Sequence, residues 1–260
     1  MKIKDLVTRH SYSHDIVFQI IGERNGIYSL KGVDYRLYAD AAKDDLRLYD
    51  NQSVKVQLPK LNIPHNVASG KVLHIDGDET YVKKAKEAYA KYHIPAACYH
   101  IIEREIPGAI LPLLNQDKYD VLVVTGHDFY QNNKPNEHDL TSYQNSINFV
   151  SAVQQARKLY PDLDSLVIIA GACQSNYEAL IANGANFASS PTRDNIHLLD
   201  PIIVASIIAT TSIKDYVSPK DVVNKTISKA MGGIETKGKA RLHYAGETSY
   251  DNIDQSLRKN

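Results

Sequence analysis

The chain contains little cysteine, carries no excess charge of either sign and lacks a long apolar run. Two cysteines among 260 residues are too few for a disulfide framework and favour a reducing, cytosolic setting. The 30 basic and 30 acidic residues balance, which argues against broad electrostatic binding to nucleic acid or to an anionic membrane. No apolar stretch approaches the roughly 20 residues that span a bilayer, and the N-terminus lacks the apolar segment of a secretory signal. We therefore expect neither nucleic acid nor a membrane as a partner.

Residues 1–57 are predicted to form a small antiparallel β module of SH3 type. Asn25-Gly26 predicts a hairpin turn, because Asn and Gly adopt the positive φ angles that such a turn requires. Residues 58–70 are a predicted linker, punctuated by proline and glycine at Pro59, Pro64 and Gly70. The candidate strands of the module are 16–22, 26–32, 35–38 and 46–49.

Residues 71–260 alternate between strand and helix patterns. Candidate strands are 72–75, 96–102, 121–125, 166–170, 185–189 and, in the last part, 232–244. Candidate helices are 80–92, 106–115, 142–160, 176–182, 198–211 and 219–231. Such alternation predicts an α/β fold, in which a parallel sheet is covered on both faces and the crossovers are right-handed.

Two of the apolar runs end in residues that can serve as a base and a nucleophile. The run 120–125 is followed by Gly-His127-Asp, and the run 165–170 is followed by Gly-Ala-Cys173. Because the carboxyl ends of parallel strands open onto one ligand crevice, we expect His127 and Cys173 at the same edge of the sheet. A thiol becomes a good nucleophile as a thiolate, and a nearby imidazole can accept its proton. The helix that follows Cys173 is expected to lower the pKa of the thiol further, and the pattern indicates a Cys-His hydrolase.

Several alternatives remain open from the residues alone. His197 is a rival base, in which case Cys173 would serve a non-peptidase hydrolase or an amidotransferase-like enzyme. The rival functional class is a non-enzymatic binding module. Cys98, the second cysteine, is predicted to be a core residue. We predict no cofactor and no metal, because the spacing of the candidate ligands matches no known ligand motif. Those candidates are His127, Asp128, His138 and Asp139.

The motif around Cys173 resembles the caspase-type clan of cysteine peptidases, which includes clostripain and gingipain. Its members carry one apolar strand that ends in His-Gly and a second that ends in Ala-Cys, as Ala172-Cys173 does here. His127 follows Gly126 and precedes Asp128, so Asp128 takes the place of the glycine whose N–H often binds the oxyanion. The resemblance implies a caspase-like α/β/α sandwich and an oxyanion site made by the N–H of Cys173 and one near Gly126 or Asp128.

Five blocks in the same order resemble the YabG family of sporulation-specific peptidases. The resemblance implies a cytoplasmic, mother-cell peptidase, also associated with the spore, that processes spore coat, cortex or germination proteins. It further implies cleavage at basic residues, often Arg, and self-cleavage near the N-terminus. The blocks are 71–79, 124–128, 170–175, 184–193 and 232–238.

Cleavage after Arg requires an acid in the specificity pocket, because a guanidinium pairs with a carboxylate. Clostripain-like relatives can carry that acid two residues before the cysteine, where this chain has Gly171. Asp76, at the end of a predicted strand, is the first candidate for the acid and Asp78 is the second. Ser189 and Ser190 are predicted to line the pocket wall, with a simple turn before a proline as the equal alternative.

Overall fold

The computed structural model of the chain describes residues 1–49, 58–61, 63, 66–131 and 136–242. These residues form a mixed α/β structure with one mainly parallel sheet and one antiparallel sheet, which confirms the predicted α/β class. Over the same ranges, no helix combines the length and the apolar character needed to cross a membrane. The predicted boundary at residue 57, Pro64 of the predicted linker and residues 243–260 of the predicted peptidase domain lie outside the described residues.

The N-terminal module is a five-stranded antiparallel sheet in the order β4-β3-β2-β1-β5. Its strands are β1 Leu6–Arg9, β2 Phe18–Arg24, β3 Ile27–Gly32, β4 Tyr38–Ala42 and β5 Leu46–Leu48. The predicted hairpin turn is confirmed, since Asn25 and Gly26 join β2 to β3 with φ angles of 53° and 79°. The module buries its own apolar cluster, which is centred on Val7, Phe18, Ile20 and Leu30.

The predicted strand at 35–38 is wrong. Residues 33–37 form a loop between β3 and β4, in which Tyr35 makes a single antiparallel bridge to His197 of the larger sheet domain. Arg36 turns inward and is buried, because its guanidinium is bonded to Asp76. A distant charged partner thus overrides the local alternation of Tyr-Arg-Leu-Tyr, which by itself favours a strand.

The larger sheet has six strands in the order β13-β11-β10-β9-β7-β8, of which only β13 runs antiparallel to its neighbour. Two short pairs, β6 with β15 and β12 with β14, lie outside it. The strands are β6 Val67–Ala68, β7 Val72–Asp76, β8 Ala96–His100, β9 Val121–Thr125, β10 Val167–Ala170, β11 Phe187–Ser189, β12 Tyr216–Val217, β13 Met231–Gly233, β14 Thr236–Lys237 and β15 Arg241–Leu242.

Helices cover both faces of the large sheet. They are α1 Glu79–Lys91, α2 Ile106–Leu114, α3 Ser146–Leu159, α4 Tyr177–Ala182, α5 Asp200–Thr210 and α6 Pro219–Lys225. One apolar cluster joins α1, α5 and α6 to the strand side chains Val121 and Val123, and a second joins α2, α3 and α4 to Leu122 and Val124. Because alternate side chains point to opposite covered faces, β9 is buried throughout, which explains its continuous apolar sequence.

The C-terminal part of the sheet differs from the prediction. The predicted helix at 219–231 ends at Lys225, and Met231–Gly233 instead forms β13 along β11. A Cβ atom at Gly233 would lie 2.6 Å from the carbonyl oxygen of Asn186, so the close approach of the two strands needs glycine there. The caspase-like and SH3-like assignments, and the division at 57 and 70, stay predictions.

Candidate active site

The order of the parallel strands places the candidate residues at one edge of the sheet. The chain leaves β7 for β8 on one side and then returns to β9 on the other, so a crevice opens at the carboxyl ends of β7 and β9. Asp76 lies level with Thr125 at this edge, and Val124 lies level with Ala170 of β10. The segments that carry Asp76, His127 and Cys173 therefore emerge side by side, as the sequence predicts.

His127 is held in one orientation by two carboxylates. Its backbone N–H donates to Oε1 of Glu103 at 2.8 Å, and its Nε2 lies 3.0 Å from Oδ2 of Asp78. Because an ionised carboxylate only accepts, Nε2 carries the hydrogen of the neutral ring and Nδ1 carries the lone pair. Nδ1 is buried and has no hydrogen-bond partner. The ring packs against Tyr38 and Tyr81, with centroids 4.6 and 5.8 Å away.

Asp78 orients His127 and begins α1. Its Oδ1 accepts from the N–H of Thr80 and Tyr81 as the N-cap of the helix, and its Oδ2 also pairs with Lys31. Burial would raise the pKa of Asp78, but its hydrogen bonds to His127 and Lys31 hold that pKa well below its usual range. The contacts of Asp78 are thus those of an orienting residue for the imidazole, whereas the sequence reasoning made it the second candidate for the pocket acid.

Cys173 lies beyond β10 and is only 2% exposed. Its Sγ accepts a hydrogen bond from the N–H of Ile196 at 3.2 Å. Burial raises the pKa of the thiol to about 11, against the lowering effects of the Ile196 hydrogen bond and the Arg36 charge. The expected lowering by the next helix is wrong for this conformation, because the six-residue α4 begins only at Tyr177. Within the described chain, Cys173 and His127 share no hydrogen bond.

Asp76 binds a guanidinium that belongs to this chain. Nη1 and Nη2 of Arg36 donate to the two carboxylate oxygens of Asp76 at 3.1 and 2.6 Å, and Nη1 also donates to the carbonyl of Gly126 at 3.2 Å. The guanidinium lies 4.7 Å from the ring centre of Tyr81, and neither Arg36 nor Asp76 exposes its side chain. Burial would raise the pKa of Asp76, but the Arg36 charge holds it well below its usual range. Both oxygens of Asp76 are thus bonded to the guanidinium of Arg36.

Asp128 joins the loop of His127 to the loop of Cys173. Its carboxylate accepts from the hydroxyls of Ser146 and Ser175 at 2.6 and 2.9 Å and from the N–H groups of Phe129 and Asn145. Burial raises the pKa of Asp128 to about 6, although these hydrogen bonds act to lower it. The carboxylate therefore has a structural role, and the oxyanion roles predicted for the backbone of Gly126, Asp128 and Cys173 stay predictions.

Ser189, Ser190 and Cys98 are buried, whereas His138 and Asp139 are exposed. Ser190 Oγ accepts from the N–H of Asp194 at 2.8 Å, as in a turn, whereas Ser189 Oγ is buried without a hydrogen-bond partner. Cys98 lies in the apolar core of the α1 face, which confirms its prediction as a core residue. Among the residues that the structure describes, no three His, Cys, Asp or Glu side chains are grouped so as to hold a metal ion.

His197, the rival base, precedes α5 and is also buried. Its Nδ1 accepts from the N–H of Leu199 at 3.1 Å, and burial lowers the pKa of the ring to about 4. Its backbone neighbour Ile196 touches the sulfur of Cys173. His197 is therefore close to the site, but its Nδ1 lone pair is already engaged by the backbone of Leu199.

Sequence reasoning missed three residues of this site: Arg36, Glu103 and Ile196. Arg36 and Ile196 lie in irregular segments far from Cys173 along the chain, and no local pattern marks them. Glu103 lies against Gly77 and Gly126, where a Cβ atom would overlap its carboxylate. These two glycines are the sequence feature that relates to Glu103.

Comparisons with known proteins identify the family of this chain. The sequence model of the family described as YabG peptidase U57 matches residues 2–66 and 60–245. The chain is 39% identical over 285 aligned residues to the sporulation-specific protease YabG of Bacillus subtilis (strain 168). That match covers 93% of this chain and 97% of the relative. No solved structure matches.

Proposed function

The chain belongs to the YabG peptidase family and is therefore a peptidase, and we propose that Cys173 is its nucleophile and His127 its general base. Its likeness to a sporulation-specific protease makes it a protease of sporulation. The observation that carries the proposal is the state of His127: Asp78 holds Nε2, and Nδ1 keeps a free lone pair at the edge where the Cys173 loop emerges. Family membership sets the non-enzymatic alternative aside.

The mechanism follows from that arrangement. Nδ1 of His127 takes the proton of Cys173, and the thiolate forms an S–C bond to the carbonyl of the scissile peptide. Backbone N–H groups of Cys173 and of the segment at Gly126 or Asp128 stabilise the oxyanion. The protonated imidazole then donates to the leaving amine as the C–N bond breaks. Water attacks the thioester, releases the acid product and restores the thiol.

Asp78 is a positioning residue in this mechanism. It fixes the tautomer of His127 from the far side of the ring, and its negative charge stabilises the imidazolium that forms. Because it also caps α1, replacing it with Asn keeps the cap while removing the charge.

The substrate is a polypeptide that is cut after Arg, with Asp76 as the acid of the specificity pocket and Ser189 and Ser190 at its wall. The bidentate contact of Asp76 with a guanidinium supports this specificity. The proposed substrates are spore coat, cortex or germination proteins, and the chain itself is a further one. The large domain is assigned to the caspase-type fold and the N-terminal module to the SH3 type, with action in the mother-cell cytoplasm and at the spore.

The test is to incubate the purified chain with a spore coat extract and to map the new N-termini. We expect Cys173→Ala and His127→Ala to abolish cleavage, whereas the buried-cysteine control Cys98→Ala keeps it. His197→Ala tests the rival base and is expected to stay active if folded, as judged by circular dichroism. Full activity of folded Cys173→Ala or His127→Ala would remove the Cys-His pair.

The Arg preference has its own test. Asp76→Asn is expected to raise KM for peptides with Arg before the cut, because the ionic partner of the guanidinium is lost. Peptides with other residues at that place serve as the internal reference. An unchanged preference for Arg would remove Asp76 from the pocket.

A further inference from the structure

Residues 34–36 of the N-terminal module lie against residues 196–198, beside the Cys173 loop. The N–H of Leu198 donates to the carbonyl of Asp34 at 2.8 Å, and the N–H of Arg36 donates to the carbonyl of Ile196 at 3.3 Å. These two bonds make an isolated antiparallel bridge between residues 35 and 197. Adding a strand to a free edge is a common way in which proteins bind extended peptides.

Arg36 lies between the proposed specificity acid and the loop of Cys173. Its side chain bonds to Asp76, and its backbone N–H donates to the carbonyl of Ile196, whose own N–H donates to the Cys173 sulfur. A substrate arginine before the scissile bond would need the same two placements. The placement of Arg36 therefore matches the one that a bound arginine peptide would take.

Two side chains of α1 also form hydrogen bonds to this segment and to the residues before it. Lys84 Nζ donates to the carbonyl of Val33 and to Oδ1 of Asp34, both at 2.9 Å. The hydroxyl of Tyr81 donates at 2.9 Å to the carbonyl of Gly32, just before the segment. These contacts do not involve the nucleophile, so they hold the loop whatever the state of Cys173.

The chain turns back at Arg36. The N–H of Leu37 donates to the carbonyl of Tyr35 at 2.8 Å, and the N–H of Gly32 donates to the carbonyl of Leu37 at 2.7 Å. A cleavable peptide would continue in an extended form past the sulfur, whereas this one closes a tight turn. The geometry therefore fits an occupant of the cleft better than a peptide about to be cut.

We propose that residues 34–36 are a built-in pseudosubstrate that excludes arginine-bearing peptides from the cleft in the resting protein. The inference rests on the proposed function for the identity of the cleft, since Asp76 and Cys173 define it. Peptides enter when the loop of the N-terminal module withdraws.

Peptide binding tests the occupancy without any catalysis. In a Cys173→Ala background, we expect Arg36→Ala to bind the peptide acetyl-Ala-Ala-Arg-amide at least tenfold more tightly than the background alone, by calorimetry. Acetyl-Ala-Ala-Gln-amide is the matched control and should gain nothing. Equal affinity for the Arg peptide with and without Arg36 would overturn the proposal.

A second pair of variants leaves Arg36 and Asp76 intact, in case Arg36→Ala fails to fold. Lys84→Ala removes the hydrogen bonds from α1 to residues 33 and 34, whereas its neighbour Lys83 pairs with Glu79 on the exposed helix surface. In the same Cys173→Ala background, Lys84→Ala should bind the Arg peptide about tenfold more tightly, the scale of one charge-assisted hydrogen bond. Lys83→Ala should match the background. No gain in folded Lys84→Ala, together with none in Arg36→Ala, would refute the occupancy.

Activity separates this proposal from the proposed function. With Cys173 present and an Arg-aminomethylcoumarin peptide, release of the loop should increase the rate of cleavage several-fold. Tighter peptide binding without any Cys173-dependent cleavage would refute the thiol mechanism and keep the occupancy. Cys173-dependent cleavage at an unchanged rate in Arg36→Ala would keep the thiol mechanism and refute the occupancy.

Discussion

Replacing Arg36 with Met leaves the Asp76 carboxylate buried without its cation. Neither side chain is exposed, and the guanidinium donates to both oxygens of Asp76 at 3.1 and 2.6 Å. Breaking a buried ion pair on one side costs about 3–5 kcal/mol, because the remaining charge has lost both water and partner. We expect Arg36→Met to lose that much free energy of unfolding. Arg24→Met, at an exposed arginine of the same module, should change it by about 0.5 kcal/mol or less.

The pH dependence of the variant gives a second signature. Without Arg36, burial should raise the pKa of Asp76, and a raised pKa contributes stability at low pH that is lost as the pH rises through it. The stability that Arg36→Met loses relative to the wild type should therefore shrink as the pH falls from 7 to 5. Asp128, whose raised pKa is common to both proteins, cancels from this difference.

Urea denaturation followed by far-UV circular dichroism at both pH values measures these changes. The double variant Arg36→Met/Asp76→Asn should lose about 2–3 kcal/mol less than the sum of the two single variants, because the pair acts as a unit. Strictly additive losses, or a loss below about 1 kcal/mol in Arg36→Met, would refute the reasoning.

Three further outcomes are expected. Asp78→Asn should lower kcat about 10²-fold with KM nearly unchanged, because the imidazolium loses its counter-charge; a change in KM alone would contradict its role. Leu122→Ala, in the fully buried β9, should cost about 2–5 kcal/mol of stability in urea titrations, whereas the half-exposed Leu159→Ala should cost far less. The wild type should lose stability below about pH 4, because the pKa of Asp76 is lower in the folded protein than in the unfolded chain. This difference stabilises the fold at pH values above the unfolded pKa, and the stabilisation disappears as the carboxylate is protonated. Melting temperatures that stay constant down to pH 2 would contradict this.

The sheet around the site could be predicted because its strands are buried on both faces. Val121–Thr125 and Val167–Ala170 appear in the sequence as short, continuous apolar runs, and few other structures give that pattern. Once the runs are parallel neighbours, the residues that follow them must meet at one edge. The proposal of His127 and Cys173 as base and nucleophile rests on that reasoning.

The side chains that contact the site residues could not be predicted, because they come from segments that are distant in sequence. Arg36 bonds to a carboxylate 40 residues away, and its local pattern suggests a strand. The raised pKa of Cys173 follows from burial under irregular loops, which no periodicity reveals. Asp78 did carry a readable signal, since an aspartate directly before a helix is a favoured N-cap, and the same carboxylate then lies close to the imidazole.

The loop that carries Arg36 is covalently attached to the domain whose cleft it fills. A tethered ligand competes at an effective concentration on the order of millimolar, which dilution of the protein cannot lower. A free polypeptide must therefore either exceed that local concentration or bring further contacts of its own. Substrates that contact the chain at more than one place would then be cleaved in preference to others. Short peptides with a single arginine would be poor competitors.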